Sequence, residues 1–489
     1  MELECTEVVR RLGKWSLGSQ PLYQLLAEGL KKAILEGEIT IASRLPPERP
    51  FASALAVSRS TVVAAYELLR EEGWLESRQG SGTKVLMPPI PSARSLNMVF
   101  NRATSDNPVI EQLFSNTENL IDFTAGIPAG LNLARFGEPT IDLSEIMQES
   151  RYLPQGLQSL RRNLSNQYTL NGVPTTEDQI LITSGAQQAL SLLAALYLQS
   201  GDTVLLENPT YFGALDAFRQ TGARLVGITV DPATGLRLDL LQNVLSSMHP
   251  RFIYLTPTFQ NPTGAVMPVE QRKKLVQLAE KHDLVVIEDN TLAQLELDQS
   301  TPPSLAAFSR GDNIITIGSM SKLFWTGLRI GWVRATPAII TRLTRLKAVN
   351  DLGSGLVNQF IANRWLEKIE PVKQWRKQEL LTGRERTIGL LEKHLPEWEY
   401  NRPGGGLFLW VRLAGSNAGA FAQLALRYGA VILPGNMMSA DESYSQYIRL
   451  PFFQDAAVIE EGIIRLSRAW QAQGLLSRTN NQPALNFIV

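Results

Sequence analysis

Beyond Ile121 the sequence alternates between short β-rich apolar runs and amphipathic helical stretches, and this alternation restricts the fold more than any other feature of the chain. Val204-Leu205-Leu206, Phe252-Ile253-Tyr254-Leu255, Leu284-Val285-Val286-Ile287 and Ile314-Ile315-Thr316-Ile317 have the length of strands. Segments such as 269–282 between them carry apolar residues at helical spacing. Strands that are apolar throughout and separated by helices imply a parallel sheet covered on both faces. The first 86 residues read differently. From Pro21 to about Leu86, short helices lead into a turn-rich hairpin. Met87-Pro88-Pro89-Ile90-Pro91-Ser92-Ala93-Arg94 then stiffens the chain and blocks regular structure. The expected organisation is a helical head over 20–86, a linker over 87–119 and a large α/β body. The tail 471–489 is polar and low in pattern, so no element is assigned to it.

Composition mainly excludes. With 44% hydrophobic and 19% charged residues the chain is an ordinary folded protein, not a disordered one. Cys5 is the only cysteine, which rules out an intrachain disulfide and a cysteine-based metal cluster. His249, His282 and His394 are scattered, so no metal is expected. No apolar run of spanning length occurs, and Met1-Glu2-Leu3-Glu4 lacks the basic start of a signal peptide, so a cytoplasmic protein without a membrane partner is expected. Lys plus Arg and Asp plus Glu are 47 each, which argues against a polybasic coat protein but leaves room for a local basic face.

In the head, Ser58 is placed to cap a helix beginning Arg59-Ser60-Thr61. Val62, Tyr66 and Leu69 then fall on one face as core, and the first turn projects outward, as in a helix that reads base edges. Trp74 to Val85 reads as a strand pair with a glycine-rich tip. Any small amphipathic unit with a hairpin shows the same pattern. The motifs narrow the choice. Pro21-Leu22-Tyr23-Gln24, Arg44-Leu45-Pro46-Pro47, Ser58-Arg59-Ser60-Thr61-Val62 and Gly80-Ser81-Gly82-Thr83 closely resemble the GntR family of winged helix-turn-helix DNA-binding heads. The resemblance implies operator DNA as a partner, contacted by Arg44, Arg49, Ser58, Arg59, Ser60, Thr61 and the wing tip Gly80, Ser81 and Gly82. Pro50-Phe51 departs from the Glu-Leu usual at that point of the family, where a first-turn proline is tolerated. Between Gln20 and Leu86 eight basic residues face eight acidic ones, so affinity must come from a one-sided arrangement or from a dimer.

The body carries polar residues at the ends of its strand runs. Lys322 follows the run ending at Ile317, with Ser319 and Ser321 three and one residues before it. Arg329 suits a phosphate, and Asp289 ends another strand. Ser184-Gly185-Ala186-Gln187 opens a helix after the strand 179–183, where free backbone N–H groups suit an anion. Tyr211 offers a ring for stacking, Asn261 lies in a Pro-x-Gly turn, and Arg449 offers a guanidinium for a carboxylate. Each motif alone has a plainer reading as a solvated turn, a helix cap or a surface arginine. Together they sit on the side where open α/β sheets bind ligands.

As a set they resemble the fold-type I aminotransferases, across roughly Ile121 to Arg468. A GntR head on such a body matches the MocR subfamily of transcriptional regulators. The resemblance implies a large pyridoxal-phosphate-binding domain over 120–350 and a smaller C-terminal α+β domain over 351–480. It implies pyridoxal 5'-phosphate on Lys322 as a Schiff base, with Gly185, Ala186, Gln187, Tyr211, Asn261, Asp289, Ser319, Ser321 and Arg329 around it. It also implies an amino-compound effector held through its carboxylate by Arg449, and a homodimer. Two positions depart from the subfamily. Thr291 stands where a tyrosine is usual, and Arg151 stands where another tyrosine is usual, with Tyr152 one step late. Cofactor binding is therefore expected with turnover impaired. The leading expectation is a ligand-responsive regulator, and the alternatives are an aminotransferase with a DNA-binding head or an empty dimerisation scaffold.

Overall fold

The computed structural model describes residues 3–18, 20–78, 82–86, 119–126, 128–138, 142–149, 151–298, 300–309 and 311–480. The expected linker lies almost wholly outside these residues, as do Gly80 and Ser81 of the wing tip.

Four helices and a three-stranded sheet build the head: α1 Cys5–Leu12, α2 Leu22–Leu35, α3 Glu48–Ala54 and α4 Arg59–Glu71, with β1 Arg44–Leu45, β2 Leu75–Arg78 and β3 Gly82–Val85 in the order β1-β3-β2. Ser58 caps α4 by accepting from the Thr61 N–H at 3.2 Å. Val62, Tyr66 and Leu69 are buried beside Phe51 of α3 and Leu26 and Leu30 of α2. Tyr66 satisfies its hydroxyl by donating to the Pro46 carbonyl at 3.0 Å, so a phenol can sit in this core. Pro50 falls in the first turn of α3, where its missing N–H costs nothing. Helix α1 lies ahead of the expected boundary at residue 20, yet Leu3, Val8, Leu12 and Trp15 belong to the same apolar core.

The body opens with β4 Ile121–Asp122 and continues with β5 Ile180–Thr183, β6 Thr203–Asn208, β7 Arg224–Asp231, β8 Gly235–Leu236, β9 Phe252–Leu255, β10 Val285–Asp289, β11 Ile314–Ser319 and β12 Gly331–Arg334. The last eight form one sheet in the order β5-β12-β11-β10-β9-β6-β7-β8. Strands β11, β10, β9, β6 and β7 run parallel, as the alternation with helices implies. The parallel expectation fails at two strands, one inside the sheet and one at its edge. Strand β12 is antiparallel to both β11 and β5, and β8 is antiparallel to β7. The connection 320–330 carries no crossover helix, and without one a strand returns antiparallel beside its predecessor.

A second sheet of β13 Glu399–Tyr400, β14 Phe408–Arg412, β16 Leu433–Pro434 and β17 Tyr447–Pro451 has the antiparallel order β13-β14-β17-β16. Strand β15 Ala430–Val431 pairs instead with β4, so the segment that enters the body is stitched to its C-terminal part. The tail also differs from expectation: helix Ala456–Asn480 continues well past residue 471. Ile459, Ile463 and Leu466 anchor its first turns, and Trp470 packs edge-on against Trp398 and Phe421. From that anchored start each further residue adds one hydrogen bond for one residue fixed.

Candidate functional site

The carboxyl ends of β5, β6, β9, β10 and β11 meet at one margin of the large sheet, and the residues singled out in the body gather there. Lys322 is half-buried, and its Nζ donates to the Gly126 carbonyl. Burial, helped by the charges of Arg449 and Arg329, brings its pKa down to about 8 against the opposing pull of Asp289. At that pKa about a tenth of the amine is neutral at pH 7, far more than for an ordinary lysine, and the neutral form is what attacks a carbonyl.

Asp289 is buried and held at both oxygens. Oδ1 accepts from the Thr291 N–H at 2.9 Å, and Oδ2 accepts from the Tyr254 hydroxyl at 2.7 Å. Burial and the Asp289 charge raise the Tyr254 pKa well above its ordinary value, so the phenol stays a donor. Thr291 thus reaches the site through its backbone. Sequence reasoning missed Tyr254, because an aromatic inside an apolar strand run reads as core; the signal was a hydroxyl with no other reason to be buried in β9.

Arg329 crosses to the other side of the site, where Nη2 donates to the Ser184 carbonyl at 2.7 Å. Its approach depends on Gly185, which has φ 96° and whose added Cβ would stand 2.9 Å from Nη2. Helix Ala186–Tyr197 starts at that glycine, so its first N–H groups lie beside the guanidinium. Gln187 binds the neighbouring loop: its Oε1 accepts from the Tyr211 hydroxyl at 3.2 Å and its Nε2 donates to the Gly213 carbonyl at 2.8 Å. Burial pushes the Tyr211 pKa up to about 12, with Asp289 adding to the rise. Ser319 Oγ accepts from the Ser321 N–H at 3.2 Å, which tightens the turn leading to Lys322.

Arg449 on β17 completes the set. It is buried, with Nη2 donating to the Thr124 carbonyl and Nη1 to Asn261 Oδ1 at 3.2 Å. Its guanidinium carbon lies 4.0 Å from the centre of the Phe408 ring. Among the described residues no carboxylate pairs with it, and burial brings its pKa down to about 10. With Oδ1 taken by Arg449, Asn261 turns its amide NH2 to the other side. Arg151 and Tyr152 stand apart, both strongly exposed, and Arg151 lies 3.8 Å from Glu149.

The donor set fits pyridoxal phosphate. A half-buried amine of low pKa, a carboxylate for a ring nitrogen, and an arginine beside a helix N-terminus for a phosphate occupy one margin. The glycine that admits Arg329 is an independent mark, because any side chain there would close the cradle.

In the head, Arg44, Arg49, Ser58, Arg59 and Ser60 are exposed and Thr61 is half-buried. Arg44 lies beside the wing, pairing in register with Lys84, and Gly82 is exposed next to it. Arg59 is engaged by Glu48 at 2.9 Å across the helix-turn-helix. Among the described residues, no helix is long and apolar enough to cross a membrane, and no group of three or more His, Cys, Asp or Glu could hold a metal ion.

A chain with this sheet and this margin is an aminotransferase-like protein carrying a winged helix-turn-helix. It belongs to the family described as aminotransferase class I and II, which it matches over residues 118–466, and residues 22–85 match the gntR family of bacterial regulatory proteins. It is 30% identical over 474 residues to the uncharacterized HTH-type transcriptional regulator YdfD of Bacillus subtilis, covering 91% of this chain and 95% of that protein. It is 27% identical over 402 residues to the probable rhizopine catabolism regulatory protein MocR of Rhizobium meliloti, covering 77% and 78%. Among solved structures it resembles the α-aminoadipate aminotransferase of Thermus thermophilus, complexed with N-(5'-phosphopyridoxyl)-L-leucine, with TM-score 0.69 and 30% identity over 75% of this chain and 95% of that one. A GntR-type head on an aminotransferase-like body is the MocR arrangement.

Proposed function

We propose that this chain is a pyridoxal-phosphate-binding, ligand-responsive transcriptional regulator, acting as a cytoplasmic homodimer. The working division is a DNA-binding unit over 20–86, a linker over 87–119, a cofactor-binding large domain over 120–350 and a small domain over 351–480. Pyridoxal phosphate supplies an aldehyde for an amine to condense with and a ring that draws electrons from the bond formed. Lys322 holds it, Asp289 faces the ring nitrogen, Tyr211 covers the ring, and Asn261 offers its amide to the phenolic oxygen. Gly185, Ala186, Gln187, Ser319, Ser321 and Arg329 form the phosphate end.

The observation that carries the ligand-responsive reading is Arg449: a buried guanidinium with carbonyl and amide partners, against the same ring that packs on Gly126, whose carbonyl holds Lys322. Burying a cation without a counter-charge is costly, and a ligand carboxylate supplies one. The effector is therefore an amino compound with a carboxylate, its amine directed at Lys322 and its acid at Arg449. In the head, Arg44, Arg49, Ser58, Arg59, Ser60, Thr61 and the tip Gly80, Ser81 and Gly82 contact operator DNA. An aminotransferase carrying an accessory head is the competing reading, favoured by the low pKa of Lys322, since a neutral lysine is also a proton-transfer base.

The test is the visible spectrum of the purified protein, titrated with amino acids while keto acid is assayed. A band that one ligand shifts without keto acid supports the sensor, and continuous keto acid release makes the protein an enzyme. Lys322→Ala should lose the band and keep the fold. An unchanged band in that variant overturns the assignment.

A further inference from the structure

Between the head and the body lies a cavity of about 880 Å³ that the cofactor site does not use. Its head wall includes Val9, Arg10 and Trp15, and its body wall includes Gln423, Met437 and Glu442. The two walls are joined by specific contacts. Arg427 Nη2 donates to the carbonyl of Ala56, in the turn between α3 and α4, at 2.6 Å. Arg10 faces Glu442 across the seam at 3.7 Å. The volume falls within the range of small-molecule pockets.

The lining states what kind of molecule would be held. Four basic side chains, Arg10, Arg11, Lys14 and Lys32, are set against three acidic ones, Glu36, Glu38 and Glu442, so the cavity favours a dipolar ligand over a strongly charged one. Arg11 is already committed to the Glu38 carbonyl and the Glu7 carboxylate. The Arg10–Glu442 pair is long and partly exposed, the kind of ion pair that contributes little and exchanges readily. Trp15, which is 7% exposed, has an indole N–H with no hydrogen-bond partner, and the amide oxygens of Gln423 and Asn436 have none either. Asn436 lines the cavity with them, beside the apolar surfaces of Val9, Leu426, Pro434 and Met437.

We propose that this cavity is a second small-molecule site, taking a zwitterionic amino compound with an apolar side chain, its carboxylate on Arg10 and its ammonium on Glu442. The occupant bridges the head to the body in place of the long ion pair. Its position lets it be felt at the cofactor margin. Thr124 lines the cavity and its carbonyl accepts from Arg449. Asn436 and Met437 lie in the turn Gly435–Met438, whose Met438 carbonyl accepts from the Thr210 N–H at 2.8 Å, one residue before Tyr211.

The full chain carrying its cofactor is titrated calorimetrically with L-phenylalanine, L-leucine and L-methionine while the visible band is followed in parallel. The band reports on the Lys322 site, so binding at the seam is the saturable heat that leaves the band unchanged. At least one of the three should give such heat, weakened about tenfold or more by Glu442→Gln and by Ala420→Trp, which places an indole in the cavity. For L-phenylalanine, 3-phenylpropionate and phenethylamine, each lacking one charge, should bind about tenfold more weakly or worse. Heat that always tracks the band, no band-silent heat up to about 10 mM, or band-silent binding undiminished in Glu442→Gln overturns the proposal. The glutamine variant alters one exposed group, so the test survives a failure of Ala420→Trp to fold. Loss of the band itself would count against the cofactor assignment and leave this result standing.

Discussion

Replacing Gly185 with alanine probes the phosphate end of the site with one methyl group. Gly185 has φ 96° and ψ 170°, a conformation open essentially to glycine alone, and an alanine held there costs about 1–3 kcal/mol. The new Cβ would stand 2.9 Å from Arg329 Nη2 and 3.3 Å from Cζ. The guanidinium is the far end of a flexible side chain, so it yields before the backbone does. In yielding it gives up its 2.7 Å bond to the Ser184 carbonyl and swings away from the start of helix Ala186–Tyr197. Losing one charge-assisted hydrogen bond to a phosphate costs about 1.5–3 kcal/mol, or roughly 10- to 150-fold in affinity. Stripped protein titrated with pyridoxal phosphate should therefore bind at least about tenfold more weakly in Gly185→Ala. The band at saturation should keep its wild-type wavelength, because Lys322 and Asp289 are untouched. Arg329→Lys should fall in the same range, since lysine keeps the charge and loses the planar fork. Unchanged affinity in Gly185→Ala, or a displaced band with affinity intact, refutes the cradle.

Three further outcomes follow from the same geometry. The Lys322 pKa is about 8, so the stripped protein should capture pyridoxal phosphate faster as pH rises, with the rate levelling off above about 8; a rate that keeps climbing toward pH 10 contradicts the lowered pKa. Burial pushes the Glu207 pKa up to about 8, so between roughly pH 4.5 and 8 the folded state holds a proton the unfolded state has released, and this residue's contribution to stability falls as pH rises through that window. Glu207→Gln should flatten that part of the pH–stability curve in denaturant melts, and an unaltered curve contradicts the assignment. Arg59→Ala should weaken operator binding by about 1–3 kcal/mol and relax the preference at one base pair, as read by gel shift against single-base operator variants; equal affinity of the wild type for operator and scrambled DNA removes the role of a specific reader.

How much of this was legible in the sequence depends on whether a group acts through its side chain. Lys322, Asp289, Asn261, Arg329 and Arg449 stood out as polar residues at the ends of apolar runs, and the structure brings them to one margin. The core of α4 was legible because its period fits one face. Strand β12 was not read as a strand, and its antiparallel direction is set by a connection whose path no residue pattern spells out. Helix α1 went unnoticed because its two buried positions, Val8 and Leu12, are set among charged neighbours. The least visible participants are Thr124 and Gly126, which bind Arg449 and Lys322 through backbone carbonyls and so leave no mark in side-chain chemistry. They matter because of where they fall in the chain. After the head and the proline-rich stretch, the first described strand of the body is β4, and Thr124 and Gly126 follow it directly. The covalent route from the DNA-binding unit therefore enters the body at the two carbonyls that hold its expected ligand-binding arginine and cofactor lysine. A ligand carboxylate that draws Arg449 away from Thr124 acts on the segment to which the head is tethered. In the proposed reading that would supply the differential contact between occupied and unoccupied states which any ligand-driven switch requires.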